Sequence, residues 1–118
     1  MISLKEIIEK LKFEPLSSVH FLERQVTGGY ASDLLSCVIK GATKDWVWVT
    51  LQSHLNVVAV ASLLGLSGVI ITEGNRPDLE TLGRAENEGV VLMVTSKTTF
   101  TVVAELSSMG IEGEGSEK

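Results

Sequence analysis

The run Trp46-Val47-Trp48-Val49-Thr50-Leu51-Gln52-Ser53-His54-Leu55-Asn56-Val57-Val58-Ala59-Val60-Ala61-Ser62-Leu63-Leu64-Gly65 decides the fold class. Residues 46–51 are apolar on both alternating faces, the pattern of a strand covered on both sides. Residues 55–64 are apolar nearly all round, the pattern of a buried helix. Gly65 followed by Leu66 then reads as a helix stop, with a left-handed glycine and an apolar residue after it. One strand, one polar turn and one helix thus form a single unit.

The unit repeats. Gly41, Gly65, Gly89 and Gly110 each close a helix-like stretch, and Ala42, Leu66, Val90 and Ile111 follow them. β-like runs come after the first three glycines, at residues 45–51, 68–72 and 90–95. Strands alternating with helices of this length predict an α/β fold: repeated strand-helix units forming a mainly parallel sheet flanked by helices. Right-handed crossovers then place the helices over its faces. Trp46 and Trp48 share one face, as core under a helix or as an interface anchor.

The helices differ. Residues 77–88 are amphipathic, with Leu79, Leu82 and Ala85 inward and acids outward, which predicts a solvated outer helix. The apolar helix 55–64 needs more cover than one small domain supplies, which predicts a homodimer. Residues 3–11 carry Leu4, Ile7, Ile8 and Leu11 at helical spacing. Residues 12–16 read as a first strand, and residues 19–26 as an extended piece leading to Thr27-Gly28-Gly29. That triplet reads as a turn, a backbone nest for a ligand or a dimer contact, with a helix starting at Ser32 and Asp33.

Composition narrows the function. The chain has 118 residues, enough for one core, and is 44% hydrophobic but only 5% aromatic. One domain is expected over residues 1–111, with a polar, disordered tail over 112–118. A net charge of −5, without a basic run, speaks against a nucleic-acid partner. The single Cys37 excludes an internal disulfide, fits a reducing cytoplasm, and reads as a small core residue. No signal peptide and no membrane span are expected, so a cytoplasmic, soluble protein is.

In an open parallel sheet, ligands bind at the carboxyl ends of the strands, beside helix N-termini that favour anions. The polar words expected there are Thr27-Gly28-Gly29, then Gln52, His54 and Asn56, then residues 72–76, then residues 95–99. The candidate ligand-binding residues are therefore Thr27, Gly28, Gly29, Gln52, His54, Asn56, Ser96 and Thr98. Their expected ligand is a phosphate-bearing metabolite or a nucleotide. His54 has three readings, helix cap, ligand contact and catalytic acid or base; Ser96 and Thr98 read as a cap region, and Arg76 and Lys97 as solvated cations ahead of ligand contacts. His20 reads as local. No catalytic residue is assigned: the chain lacks GxGxxG, GxxxxGK[ST] and GxSxG. One cysteine and two distant histidines give no zinc site of usual spacing, and no cofactor is expected.

The words Val26-Thr27-Gly28-Gly29-Tyr30 with Ser32-Asp33-Leu34-Leu35-Ser36, and Trp48-Val49-Thr50-Leu51-Gln52 with residues 54–61, resemble the DRTGG domain. The likeness runs over about residues 11–111. Gln25 and Val26 stand where the family name calls for Asp and Arg, while Glu23 and Arg24 come slightly earlier. The resemblance implies a fold similar to the N-terminal domain of bacterial HPr kinase/phosphorylase. It also implies a regulatory or subunit-contact module, set beside CBS pairs or before phosphotransacetylase domains in other proteins. The alternative reading is a pure interaction subunit that docks onto a larger metabolic enzyme through the Trp strand or the apolar helix, with no small ligand of its own.

Overall fold

A computed structural model describes residues 1–114. In chain order the elements are β1 (Ile2–Ser3), α1 (Leu4–Leu11), β2 (Glu14–Pro15), a 3₁₀ turn (Val19–Phe21), β3 (Gln25–Val26), β4 (Gly28–Ala31), α2 (Leu35–Gly41) and β5 (Trp46–Thr50). They continue with α3 (Leu55–Leu64), β6 (Gly68–Ile71), α4 (Leu79–Glu88), β7 (Leu92–Val94) and α5 (Thr99–Ser108). The main sheet runs β2-β7-β6-β5-β4, with β1 and β3 forming a separate two-stranded ribbon. β4, β5, β6 and β7 are mutually parallel, and β2 caps one edge antiparallel to β7. The mainly parallel α/β sheet expected from the strand-helix repeat is therefore the fold.

Both faces of the sheet are buried. Trp46, Trp48, Val69, Ile71 and Leu92 point into a core with Val38 of α2, Val57, Val58 and Ala61 of α3, and Ala85 of α4. Val47, Val49, Ile70 and Met93 point the other way, into Leu4, Ile7 and Ile8 of α1 and Val102 and Leu106 of α5. The apolar-on-both-faces strands follow from this two-sided cover. Trp46 and Trp48 are core residues on one face.

Local chemistry sets the helix ends. Ser3 opens α1 with a capping box: its Oγ accepts from Glu6 N at 3.2 Å, and Glu6 Oε1 accepts from Ser3 N at 3.0 Å. Gly65 and Gly89 adopt φ of 69° and close α3 and α4, as expected. Leu66, Val90 and Ile111 are buried, and each donates its N–H back to its helix, to Ala61, Ala85 and Leu106.

Gly41 departs from that scheme. It is the last residue of α2, without a positive φ, and the helix is capped by Ala42 in extended geometry. The Tyr30 ring fills the place where a Gly41 Cβ would stand. Close approach, not backbone handedness, calls for glycine there.

Thr27-Gly28-Gly29 also differs from expectation: it is no turn. Gly28 and Gly29 are strand residues of β4, without positive φ, paired with Trp46 and Val47. A Cβ on Gly28 would lie 2.5 Å from the Trp46 indole. Gly28→Ala is thus expected to cost about 1–3 kcal/mol by overpacking. The cost should shrink in a Trp46→Phe background, where a smaller ring leaves room. Urea midpoints of the four proteins in that cycle check it, and additive losses would refute the contact.

Four further expectations are corrected. Ser32 and Asp33 precede α2 without capping it; its N-cap is Leu34. The inward assignment of Leu79 fails because it stands at the first turn of α4, 86% exposed. Cys37 is exposed on the outer side of α2. Residues 19–26 are a 3₁₀ turn and the short β3, since Ser18 (φ 50°) folds the chain back. Of the tail expected from Glu112 onward, residues 115–118 lie outside the described residues.

Candidate functional site

Parallel register brings the ends of β4, β5, β6 and β7 to one edge, with the connections to α2, α3, α4 and α5 above them. Gln52, His54, Asn56, Ser96 and Thr98 all lie on this carboxyl edge. Thr27 lies at the opposite end, its N–H donating to Asp45 O before β5 at 2.9 Å. Gly28 and Gly29 stand within β4.

Asp33 ties two strands together on that edge. Its Oδ1 accepts from Thr50 Oγ1 at 2.8 Å and from Leu51 N at 2.9 Å. Gln52 returns the bond, donating Nε2–H to Asp33 O at 3.0 Å. His54 is the N-cap of α3, its Nδ1 accepting from Asn56 N at 3.2 Å. Leu35, Gln52, His54, Asn56 and Val57 line a recess of about 200 Å³. Thr98 caps α5, Oγ1 accepting from Thr101 N at 3.2 Å. Of the readings open for His54 and Thr98, the cap is thus realised in both.

A larger recess, of about 430 Å³, lies at the other end of the same edge, over β6, β7 and β2. Lys12, Arg76 and Lys97 line it, with Glu14, Asn75 and Ser96. Three cations gather here in a chain of net charge −5, two of them paired with acids: Arg76 with Glu14 and Lys97 with Glu105. Arg76 is forked onto Glu14 at 3.0 and 3.4 Å. This hydrogen bond, and then the charge, hold the Glu14 carboxyl below its usual range and raise Arg76. Lys97 Nζ donates to Leu11 O at 3.0 Å and Glu105 Oε1 at 2.9 Å, and sits 5.7 Å over the Phe13 ring. Both cations are held in place rather than waving in solvent.

The backbone around this recess is unusual. Lys12 (φ 62°), Glu73 (φ 65°) and Gly74 (φ 79°) are left-handed. Asn75 N closes the turn on Thr72 O at 3.3 Å, with two consecutive positive φ values as in a type I′ turn. Such conformations cluster at binding sites because surrounding structure must enforce them. Glu73 is anchored by accepting from Thr99 N at 2.9 Å. Ser96 is the one member of the sequence-derived ligand set in this recess. Lys12 and Glu14 were missed, since nothing local links them to Arg76, more than sixty residues on.

Among the described residues no three His, Cys, Asp or Glu side chains are grouped as a metal site, and no helix is long and apolar enough to cross a membrane. No curated protein sequence matches the chain. Among solved structures it is similar to the CBS and DRTGG domains of the regulatory region of Clostridium perfringens pyrophosphatase, in complex with the activator diadenosine tetraphosphate. The identity is 17% and the TM-score 0.68, over 86% of this chain and 44% of that one. The likeness is one of fold, and this chain spans less than half of that one's length. The family model of the DRTGG domain matches residues 27–109, well over half of the sequence, and the chain belongs to that family.

Proposed function

We propose that this chain is a non-enzymatic regulatory module, acting as a homodimer in the cytoplasm, that binds a nucleotide or another phosphate-bearing metabolite at the carboxyl edge of its sheet. The observation that carries this reading is the recess of Lys12, Arg76 and Lys97. Arg and Lys held by partners lose little freedom on meeting a phosphate, and Arg meets it in forked geometry. Ser96 and Asn75 add neutral hydrogen-bonding groups, and the His54, Gln52 and Asn56 recess adds more for the rest of a ligand. The related regulatory region in complex with diadenosine tetraphosphate supports a nucleotide.

A second reading rests on a different observation. Leu34, Leu51, Leu79 and Phe100 are exposed large apolar residues, each in or just after one of the four connections on this edge. They favour a protein-interaction subunit that docks onto a larger metabolic enzyme without a small ligand of its own.

Thermal unfolding against nucleotides and phosphorylated metabolites separates the two, with inorganic phosphate as control. A ligand at 100 times its Kd adds about 2.7 kcal/mol, which raises the midpoint by roughly 10 °C. The expected result is a selective shift that Lys12→Gln with Arg76→Gln abolishes and His54→Ala weakens. A flat response across the panel would favour the interaction subunit. Sedimentation velocity at micromolar concentrations tests the homodimer.

A further inference from the structure

Of the three cations that line the larger carboxyl-edge recess, two already hold an acid and one does not. Arg76 donates from both terminal nitrogens to the Glu14 carboxylate, at 3.0 and 3.4 Å. Lys97 is engaged by Glu105 and by the Leu11 carbonyl. Lys12 makes no ion pair among the described residues. Its backbone is fixed nonetheless, as the left-handed C-cap of α1 whose N–H donates to Ile8 O.

Glu14 is the one acid among the described residues that line the recess. Sheet register puts it there: β2 pairs antiparallel with β7, and Glu14 stands opposite Val94, another lining residue. Arg76 reaches it from the connection after β6. Both side chains of the pair are more than half exposed, at 56% and 59%. Such a pair contributes little and exchanges partners readily, because water and salt screen it. Two oxygens on two guanidinium nitrogens are also the arrangement that a phosphate makes with arginine. Glu14 thus occupies the place of a ligand oxyanion and supplies the same kind of acceptor.

We infer that Glu14 is the specificity-determining residue of this recess: it holds the Arg76 fork in the free protein, and a ligand with two linked oxyanion groups, of the diphosphate class, displaces it most favourably. The inference rests on the phosphate-binding reading above and adds a charge requirement to it. A single anionic group that reaches Arg76 gains little, since it replaces one oxyanion by another. A second group linked to the first meets Lys12, which no acid neutralises, and there it displaces nothing. The displaced Glu14 carboxylate, already exposed, turns to water. No aromatic side chain lines the recess among the described residues, so selection here is by charge and not by stacking of a base.

The test is calorimetric titration of the full chain with inorganic pyrophosphate and with inorganic phosphate. Pyrophosphate should bind the wild-type chain at least about tenfold more tightly, the gain from one added charge-assisted contact. Glu14→Gln removes the competing carboxylate at equal side-chain length, and should tighten phosphate binding about fivefold. Glu14→Asp keeps the charge but is too short for the fork, and should tighten it as well. Lys12→Gln should abolish the preference for pyrophosphate. Glu9→Gln, an equal change of net charge at an exposed position of α1, should alter neither constant. Phosphate binding unchanged or weakened in Glu14→Gln, or equal constants for the two anions in the wild type, would overturn the inference and leave the phosphate-binding reading standing. Tightening in Glu14→Gln without any in Glu14→Asp would assign the effect to charge repulsion and overturn it too. No binding of either anion, to the wild type or to Glu14→Gln, would remove the phosphate-binding reading itself and the inference with it.

Discussion

Trp48→Ala should lower the unfolding free energy by about 3–5 kcal/mol, the range for emptying a large aromatic site in a closed core. Trp48 is fully buried in β5, between β4 and β6, under α2 and α3. Its indole Nε1–H also donates to Ser32 O at 2.8 Å, and thereby holds the β4–α2 connection over the end of β5. Truncation leaves a cavity and an unpaired carbonyl together. A domain of this size has about 5–15 kcal/mol in total, so the variant should remain folded but marginal. The midpoint should fall on the order of 15 °C. Trp48→Phe should recover most of the packing but not the hydrogen bond, and fall between. A loss under about 1 kcal/mol in Trp48→Ala, read by urea unfolding, would show that the site collapses freely and that Trp48 is not central to the core.

Ser17→Ala should be nearly as damaging, although it removes a single oxygen. Ser17 Oγ donates to Val90 O at 2.8 Å and accepts from Leu92 N at 2.9 Å, at a buried position. The side chain thus takes the place of a neighbouring strand beside the start of β7, just beyond the two residues of β2. Replacing it with a methyl group leaves a buried carbonyl and a buried N–H without partners. Each orphaned group costs about 1–3 kcal/mol. The measurement is again a urea midpoint, accompanied by exchange of the Leu92 amide. Ser17→Thr keeps the hydroxyl and should lose much less. Equal losses in the two variants would assign the effect to shape rather than to hydrogen bonding.

These two residues differ in how visible they are in the sequence. Trp48 stands in a run apolar on both faces, so burial follows from the pattern alone. Ser17 lies in Ser17-Ser18-Val19-His20, a stretch without periodicity, and its two partners are more than seventy residues away. Ser18 is similar: Oγ donates to Ala85 O at 3.1 Å, and its N–H donates to Glu86 Oε1 at 2.8 Å. The candidate site divides in the same way. His54, Gln52 and Asn56 lie within five residues of one another and could be grouped by eye. Lys12 and Glu14 join Arg76 and Lys97 only because β2 pairs antiparallel with the end of β7. Leu79 was misplaced because the inward face of a helix is set by where its axis lies on the sheet, and the first turn of α4 overhangs the edge.

What the sequence by itself determined is the parallel strand-helix repeat, the buried faces of β5, β6 and β7, the helical spacing of Leu4, Ile7, Ile8 and Leu11, and the glycine stops at Gly65 and Gly89. These depend on side-chain period and on the backbone preferences of residues within about five positions of one another, so they are written locally. Only the tertiary structure decided that Gly28 and Gly29 stand in an edge strand, that Gly41 makes room for Tyr30, and that three cations share one recess. Each of those depends on close approach between segments that the sequence keeps apart. Steric fit and charge clustering at such places exist only once the sheet order is set.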